Sequence, residues 1–205
     1  MNTFSLAFVC TGNRFRSPLA EAFVRRLTLG LPVTTASYGT LPLDDEPALP
    51  EAIEIALSCG VSLDDHRTRY LNDAEVKDVD LLLGFEPAHI LQAVVDAHAP
   101  RERSFLVRDF ARLLPAAGVV RPGEQVVERA RSLVAAAGQR LDERTLTMKS
   151  MRDPFGGPWK LYRQSAADIR EFSMTLVERL FGVAPAHGLP PVPTKLARTR
   201  KTIWR

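Results

Sequence analysis

The chain has 205 residues, of which 45% are hydrophobic and 25% are charged. It is therefore long enough to bury its own core and is not a small domain that folds only around disulfides or a metal. Cys10 and Cys59 are the only cysteines, which excludes a disulfide scaffold and a four-cysteine zinc site. The net charge of +3 comes from a basic C-terminus, since residues before 183 hold 22 Lys and Arg against 24 Asp and Glu. This distribution argues against a nucleic-acid-binding surface on the body of the protein.

In chain order, apolar runs and helical periodicities alternate. The predicted strands are 4–10, 33–38, 79–85 and 104–110, the last running into a helix, and the predicted helices are 18–27, 49–57, 87–97, 126–137 and 162–180. Such alternation favours an α/β fold, with a doubly wound four-stranded parallel sheet of the flavodoxin-like type and helices on both faces. Ligands of such sheets bind at the carboxyl ends of the strands, where residue 10 is expected.

Gly182 is expected to end the last helix and the folded domain, which we predict to span residues 1–182. Residues 183–205 are proline-rich and contain five basic and no acidic residues, so we expect a mobile tail. Its prolines resemble a polyproline motif, although linkers often have this composition. We expect no membrane span, because no stretch approaches 18 consecutive apolar residues, and no secretory signal, because the first fifteen residues lack a basic segment followed by a long apolar run. The two cysteines suit a reducing compartment, so we expect a cytoplasmic location.

The loop CTGNRFRSP, residues 10–18, is the segment that most clearly predicts chemistry. Its five residues between Cys10 and Arg16 can curl so that their backbone N–H groups face one concavity, and the helix that follows adds its positive end. Arg16 provides a planar donor fork for phosphoryl oxygens. A cysteine beside this arginine and helix start is stabilised as a thiolate, so Cys10 is predicted to be a nucleophile, with the Ser17 hydroxyl close by.

These residues resemble the low-molecular-weight protein tyrosine phosphatase family, whose loop reads C-x-G-N-x-C-R-S-P. Three later segments also match the family in order and spacing: SYGT at 37–40, DHRTR at 65–69 and DPFG at 153–156. The resemblance covers most of residues 4–182 and implies the family's fold, of the phosphotyrosine phosphatase I type. It implies a hydrolase that removes phosphate from phosphorylated proteins through a phosphocysteine intermediate, without a cofactor or metal.

The resemblance also implies residue roles. Cys10 attacks phosphorus, Arg16 holds phosphoryl oxygens and Asp153 protonates the leaving group, while Asn13, Ser17, Ser37 and His66 support the loop. The phosphate-binding residues would be Thr11, Gly12, Asn13, Arg14, Phe15, Arg16 and Ser17.

The Asp153 assignment has independent chemical support, because an alkoxide or phenoxide leaves only with a proton donor and the second step needs a base. Asp153 precedes a proline, and glycines follow, so the segment is expected to be a loop that overhangs the pocket. The alternative is a carboxylate that caps the helix beginning near Trp159.

The sequence departs from the family at two places in the predicted site. Phe15 occupies the position where many members have a second cysteine, so a protective disulfide with Cys10 is not available there. After SYGT the usual pocket aromatic is replaced by Leu41 and Leu43, which leaves Phe155 as the candidate aromatic wall and weakens the expected phosphotyrosine preference.

Other residues are given structural roles. His89, His98 and His187 have no ligand-like partners in sequence and are expected at the surface, and Cys59 is expected to be a small buried residue. The stretch 115–149 is longer than a connection requires, and its helix could be a lid, a dimer surface or a packing element.

Two alternative functions remain open. Arsenate reduction on the same fold would need an external thiol, because Cys59 alone cannot complete an internal cysteine relay. An inactive phosphate-binding module would use the loop without turnover, but binding alone requires neither a nucleophile nor an acid. The sequence does not specify the physiological substrate or the oligomeric state.

Overall fold

The computed structural model describes residues 3–43, 45–115, 125–141, 150–182 and 188–194. Strands and helices alternate through the described part of the chain, as predicted. The strands are β1 (Phe4–Cys10), β2 (Val33–Gly39), β3 (Leu81–Gly84) and β4 (Ser104–Leu106), and the helices are α1 (Arg16–Leu27), α2 (Pro50–Ser58), α3 (Pro87–Val95), α4 (Val107–Leu113), α5 (Val126–Gln139) and α6 (Trp159–Phe181).

The four strands form one parallel sheet in the order β2-β1-β3-β4. The strand order changes direction between β1 and β3, and the carboxyl ends of those strands flank the crevice where such sheets bind ligands. Cys10 ends β1, and Gly84 at the end of β3 pairs with Val9. The doubly wound fold is therefore confirmed, and it positions residue 10 at the crevice.

Both faces of the sheet are buried. Alternate residues of β1 point to opposite sides of the sheet, and each set packs into its own core. Leu6 and Phe8 join the larger core, which α1 and α6 cover, and this core includes the edge-to-face pair of Phe4 and Phe181. Val9 on the opposite face belongs to a smaller core with α3. Each face thus carries helices, and the sheet is the rigid layer on which the loops are mounted.

Two element boundaries differ from the prediction. Helix α1 begins at Arg16 rather than Pro18, so the arginine lies in the first helical turn. The segment 104–110 is a strand only as far as Leu106, after which Val107 begins α4. A continuous apolar run has no periodicity of its own, so the sequence pattern does not mark where the strand ends and the helix starts.

Helix α5 packs on the body. Its residues Ala130, Val134 and Ala137 are buried in the larger core. Arg131 donates from Nε to Asp80 Oδ1 at 2.7 Å, which connects α5 to the start of β3. Of the three interpretations for 115–149, packing is the one that these contacts support. Residues 116–124 and 142–149 lie outside the described residues.

The expected tail is not wholly separate from the body. Leu189 is 3% exposed and belongs to the larger core, and Arg170 on α6 donates from Nε to the carbonyl of Pro190 at 2.8 Å. The boundary at Gly182, which ends α6 in a left-handed conformation, is therefore wrong for residues 188–194. Buried apolar area offsets the ordering entropy of this short segment. The rest of the predicted tail, 183–187 and 195–205, lies outside the described residues.

Among the described residues, the helices are too short or too polar to cross a membrane.

Candidate active site

The loop that follows Cys10 forms a nest of backbone groups at the start of α1. Asn13 has a φ of 50°, in the left-handed region that Asn tolerates better than most residues. Among the described residues, no side chain caps the N-terminus of α1. The first N–H groups of this helix therefore remain available for an anion, which the helix dipole also favours.

Asn13 is fully buried and holds the loop through both ends of its amide. Its Nδ2 donates to Ser17 Oγ and to Ser37 Oγ, each at 2.9 Å, and its Oδ1 accepts from the backbone N–H of Arg69 at 2.9 Å. The backbone carbonyl of Asn13 accepts from His66 Nε2 at 2.7 Å. Burial lowers the pKa of His66, although this backbone hydrogen bond opposes the shift. Three sequence-predicted supporting residues, Ser17, Ser37 and His66, thus meet at Asn13.

The nucleophile candidate is buried within this network. Cys10 is 3% exposed, and its Sγ lies 3.1 Å from Ser17 Oγ. Ser17 Oγ accepts from Asn13, and its own proton has two acceptors within reach, the Tyr38 carbonyl at 3.3 Å and the Cys10 sulfur.

Glu21 is a buried carboxylate that sequence reasoning missed. It accepts from Ser37 Oγ at 2.6 Å and from Arg69 Nη2 at 2.9 Å, and it pairs with Arg25 one turn along α1. The helical periodicity of α1 marks its apolar residues, and a lone acid among them is a weak signal without the neighbouring strand and loop.

Arg16 is 1% exposed, and four of its five N–H groups have protein acceptors. Nη1 donates to Glu86 Oε1 and to the carbonyl of Met151. Nη2 donates to Thr11 Oγ1 at 3.2 Å and to Asp153 Oδ2 at 2.5 Å. Among the described residues Nε–H has no acceptor, so the guanidinium is fixed with one donor free.

Asp153 reaches the site from the loop before α6. Its Oδ1 accepts from the backbone N–H of Phe155 at 3.1 Å, which closes a tight turn, while Oδ2 bonds Arg16. Its side chain is 38% exposed. The carboxylate therefore contacts both the arginine and solvent.

Most of the predicted site residues line one cavity of about 290 Å³. The predicted residues that do not line it are Asn13, Ser17, Ser37 and His66. Cys10 and Arg16 lie in it with Asp153, and the predicted wall residues Leu41, Leu43 and Phe155 line it. The lining is completed by Thr11, Gly12, Arg14, Phe15 and Leu49. Arg14 directs its Nε away to the carbonyl of Pro47 at 2.9 Å. The cavity thus combines the loop residues and Arg16 with the largely apolar side chains of Leu41, Leu43, Leu49 and Phe155.

Phe15 is 4% exposed and packs edge to face against Tyr162 of α6, with ring centroids 5.1 Å apart.

Cys59 is buried at the end of α2, and burial raises the pKa of its thiol.

The expectation that His89 is a surface residue is wrong. It is 2% exposed in the first turn of α3, and its Nε2 lies 3.1 Å from Thr11 Oγ1. His98 is exposed, as expected, and His187 lies outside the described residues. Glu86 and His89 follow a buried strand and open a helix with a proline, a pattern that could have indicated a helix start at the same sheet edge as Cys10.

The model of the protein family "Low molecular weight phosphotyrosine protein phosphatase" matches residues 5–122 of this chain. The low molecular weight protein-tyrosine-phosphatase Etp of Escherichia coli K12 is 36% identical over 102 residues, which are 50% of this chain and 68% of that protein. The protein-arginine-phosphatase of Bacillus subtilis is 23% identical over 177 residues, which are 85% of this chain and 95% of that protein.

Solved structures agree on the fold. Wzb from Vibrio vulnificus in complex with benzylphosphonate has a TM-score of 0.61 at 21% identity, covering 86% of this chain and 98% of that one. A YwlE mutant from Bacillus subtilis has a TM-score of 0.64 at 23% identity, covering 87% and 99%. With the sequence matches, these findings show that the chain belongs to the low molecular weight phosphotyrosine protein phosphatase family.

Proposed function

We propose that this protein hydrolyses phosphotyrosine in proteins through a phosphocysteine intermediate on Cys10. The observation that carries the proposal is the arrangement of three groups around one cavity: the Cys10 thiol on its floor, Arg16 beside it, and Asp153 hydrogen-bonded to Arg16 at 2.5 Å.

In the first step, the Cys10 thiolate attacks phosphorus and the bond from phosphorus to the phenolic oxygen breaks. The departing oxygen takes a proton from Asp153, which is required because a phenoxide is a poor leaving group. The loop N–H groups and Arg16 Nε–H bind the phosphoryl oxygens as negative charge builds on them.

In the second step, the Asp153 carboxylate accepts a proton from water as the water oxygen attacks phosphorus. The bond from sulfur to phosphorus breaks, inorganic phosphate leaves and the Cys10 thiolate is restored. Ser17 Oγ, at 3.1 Å from the sulfur, stabilises the thiolate both before attack and after release.

Phosphotyrosine fits the depth and chemistry of the cavity. The nucleophile is 3% exposed, so a short phosphoserine side chain has less reach to it than an aryl phosphate. The apolar walls formed by Leu41, Leu43 and Phe155 offer contacts to a phenyl ring.

Phosphoarginine in proteins is a second candidate substrate class. The matched protein-arginine-phosphatase aligns through the Asp153 segment and over 95% of its own length, whereas the alignment to the tyrosine phosphatase Etp spans 102 residues. Asp153, which lines the cavity and has a side chain 38% exposed, is a carboxylate that a substrate guanidinium group could contact there.

Matched peptides distinguish these substrates. One peptide sequence is prepared with phosphotyrosine, phosphoarginine or phosphoserine, and kcat/KM is measured by phosphate release, with arsenate plus an external thiol as a further arm. We expect the phosphotyrosine peptide to exceed the others by about 10-fold or more. Cys10→Ala should be inactive and Cys59→Ala should retain activity. Preference for phosphoarginine, or arsenate turnover without hydrolysis, would contradict the proposal.

A further inference from the structure

Helix α3 begins beside the phosphate-binding loop with a reciprocal capping box. The backbone N–H of His89 donates to the Glu86 carbonyl at 3.0 Å, and His89 Nδ1 accepts from the backbone N–H of Glu86 at 3.0 Å. His89 Nδ1 also accepts from Phe85 N–H at 3.2 Å. Both box residues are rigidly held, because they follow β3 directly and the first helical turn depends on them.

These contacts fix the protonation of the imidazole. A nitrogen that accepts from two backbone N–H groups carries no proton, so the single proton of a neutral His89 lies on Nε2. Burial lowers the pKa of His89 to about 3, and the charge of Arg16 acts in the same direction while Asp153 opposes it. His89 Nε2–H therefore donates to Thr11 Oγ1 at 3.1 Å.

Thr11 Oγ1 receives a second donor. Arg16 Nη2–H points to it at 3.2 Å, so two donors occupy the two acceptor positions of the hydroxyl oxygen. Among the described residues no protein group accepts the Thr11 hydroxyl proton, and Thr11 lines the cavity above Cys10. The proton is therefore available to a ligand bound in this cavity.

The other half of the capping box holds the arginine. Glu86 Oε1 accepts from Arg16 Nη1, and the Met151 carbonyl accepts from the same nitrogen at 3.0 Å. Two acceptors on Nη1 fix the plane of the guanidinium, so its unpaired Nε–H keeps one direction. The first turn of α3 thus contacts the loop at two points, Thr11 and Arg16.

We propose that the Glu86–His89 capping box positions the phosphate-binding loop, and that the Thr11 hydroxyl, oriented by His89 Nε2–H, donates a hydrogen bond to an oxygen of the bound phosphoryl group. Thr11 is then a substrate-binding residue through its side chain, and His89 and Glu86 are positioning residues. The inference rests on the proposed phosphatase function and identifies how its anion site is completed.

The test uses Thr11→Val, which keeps the shape and removes the hydroxyl, and Thr11→Ser, which keeps the hydroxyl. The probe is inorganic phosphate, with its affinity measured by calorimetry alongside kcat/KM on p-nitrophenyl phosphate. Because a hydrogen bond to a charged group is stronger than one between neutral groups, Thr11→Val should weaken phosphate binding and lower kcat/KM by about 10-fold or more. Thr11→Ser should restore most of both.

The role of His89 is tested by His89→Asn, whose Oδ1 can keep the capping bond to Glu86 N–H but whose side chain ends before Thr11. This variant should weaken phosphate binding by about 3-fold or more in the parent background and by less than about 2-fold in a Thr11→Val background, because it acts through the threonine. Nitrogen NMR of the parent should show His89 as the Nε2–H tautomer, with the signal of the exposed His98 for comparison.

Phosphate affinity within about twofold of the parent in Thr11→Val would overturn the inference. So would additive losses in the double variant, or an imidazole protonated at Nδ1 near neutral pH. Because phosphate affinity is measured without turnover, a parent that hydrolyses no substrate would refute the proposed function while leaving this inference to be judged on binding alone.

Discussion

At the scale of single residues, the site depends on buried polar groups that satisfy one another. Asn13 is fully buried in a left-handed conformation, and its amide bonds Ser17, Ser37 and the backbone of Arg69. Unpaired polar groups at this depth would each cost about 1–3 kcal/mol. The loop therefore keeps one shape, and the nest does not have to form when substrate binds.

Asp153 can be tested through the leaving group. Asp153→Asn should lower kcat/KM on a phosphotyrosine peptide by about 100-fold or more, because a phenol with a pKa near 10 needs a proton donor. The loss on p-nitrophenyl phosphate should be clearly smaller, because nitrophenolate leaves more easily. Steady-state kinetics on both substrates give the ratio.

Asp168→Asn is the matched control, since Asp168 forms an exposed ion pair with Arg108 on α6 and α4 and should leave both rates unchanged. If Asp153→Asn lowered kcat/KM equally little on the two substrates, Asp153 would have only a structural role in its turn.

Residues close together in sequence could be predicted from their own pattern, whereas distant partners such as Ser37, His66 and Asp153 were marked by the family resemblance. Cys10 and Arg16 are six positions apart, and the loop between them has a local shape that its glycine, asparagine and helix start specify. Asp153 was predicted because a proton donor is chemically required and the family resemblance marked its position. Glu86 and His89 were missed because their contacts arise only when β3 lies beside β1, a long-range pairing that the local pattern does not encode.

At the scale of elements, the junction of β3 and α3 holds Glu86 and His89 against the loop 10–18. A Cβ at Gly84 would lie 2.8 Å from Ile90 Cδ1 and 3.1 Å from His89 Cβ. Gly84→Ala should therefore shift the start of α3, destabilise the protein by about 1–3 kcal/mol and weaken phosphate binding. Denaturant unfolding and calorimetry measure the two effects.

Gly188→Ala is the control, because a Cβ there meets no atom within 4 Å. If Gly84→Ala matched this control in both stability and phosphate affinity, the close approach of α3 to Gly84 would contribute to neither property.

The start of α3 also predicts how stability depends on pH. The pKa of His89 falls from 6.5 to about 3 in the folded protein, so between these values the unfolded chain binds a proton that the folded protein excludes. The contribution of His89 is fully present above pH 6.5 and is lost as pH falls toward 3, with a slope of up to about 1.4 kcal/mol per pH unit.

The measurement is the free energy of unfolding between pH 7 and pH 4. The parent should lose more stability on acidification than His89→Asn, which lacks the titrating group. Parallel curves for the two proteins would mean that the buried imidazole does not resist protonation.

At the scale of the whole molecule, the C-terminal segment 188–194 is part of the folded body. Leu189 is 3% exposed, and Arg170 holds the carbonyls of Leu189 and Pro190. The packing of Leu189 could not be predicted from the sequence. The region is rich in proline and poor in apolar periodicity, and one buried leucine does not produce a periodic pattern.

Leu189→Ala should lower the free energy of unfolding by about 2–5 kcal/mol, as for other buried leucines, while the kcat of the folded protein stays within about twofold. Leu57→Ala is the control, since Leu57 is 71% exposed. Unfolding curves compare the two variants. Equal stabilities would show that the segment adds nothing to the core, and a large loss of kcat would connect it to the site.

The central claim is that Cys10 carries the phosphoryl group during turnover. The most direct measurement is rapid quenching of the protein mixed with a phosphotyrosine peptide, followed by mass spectrometry of the fragment that contains Cys10. The account predicts one phosphoryl group on the Cys10 sulfur within the first turnover, and neither label nor hydrolysis in Cys10→Ala. Hydrolysis that proceeds without phosphoryl transfer to Cys10, or that survives in Cys10→Ala, would contradict it.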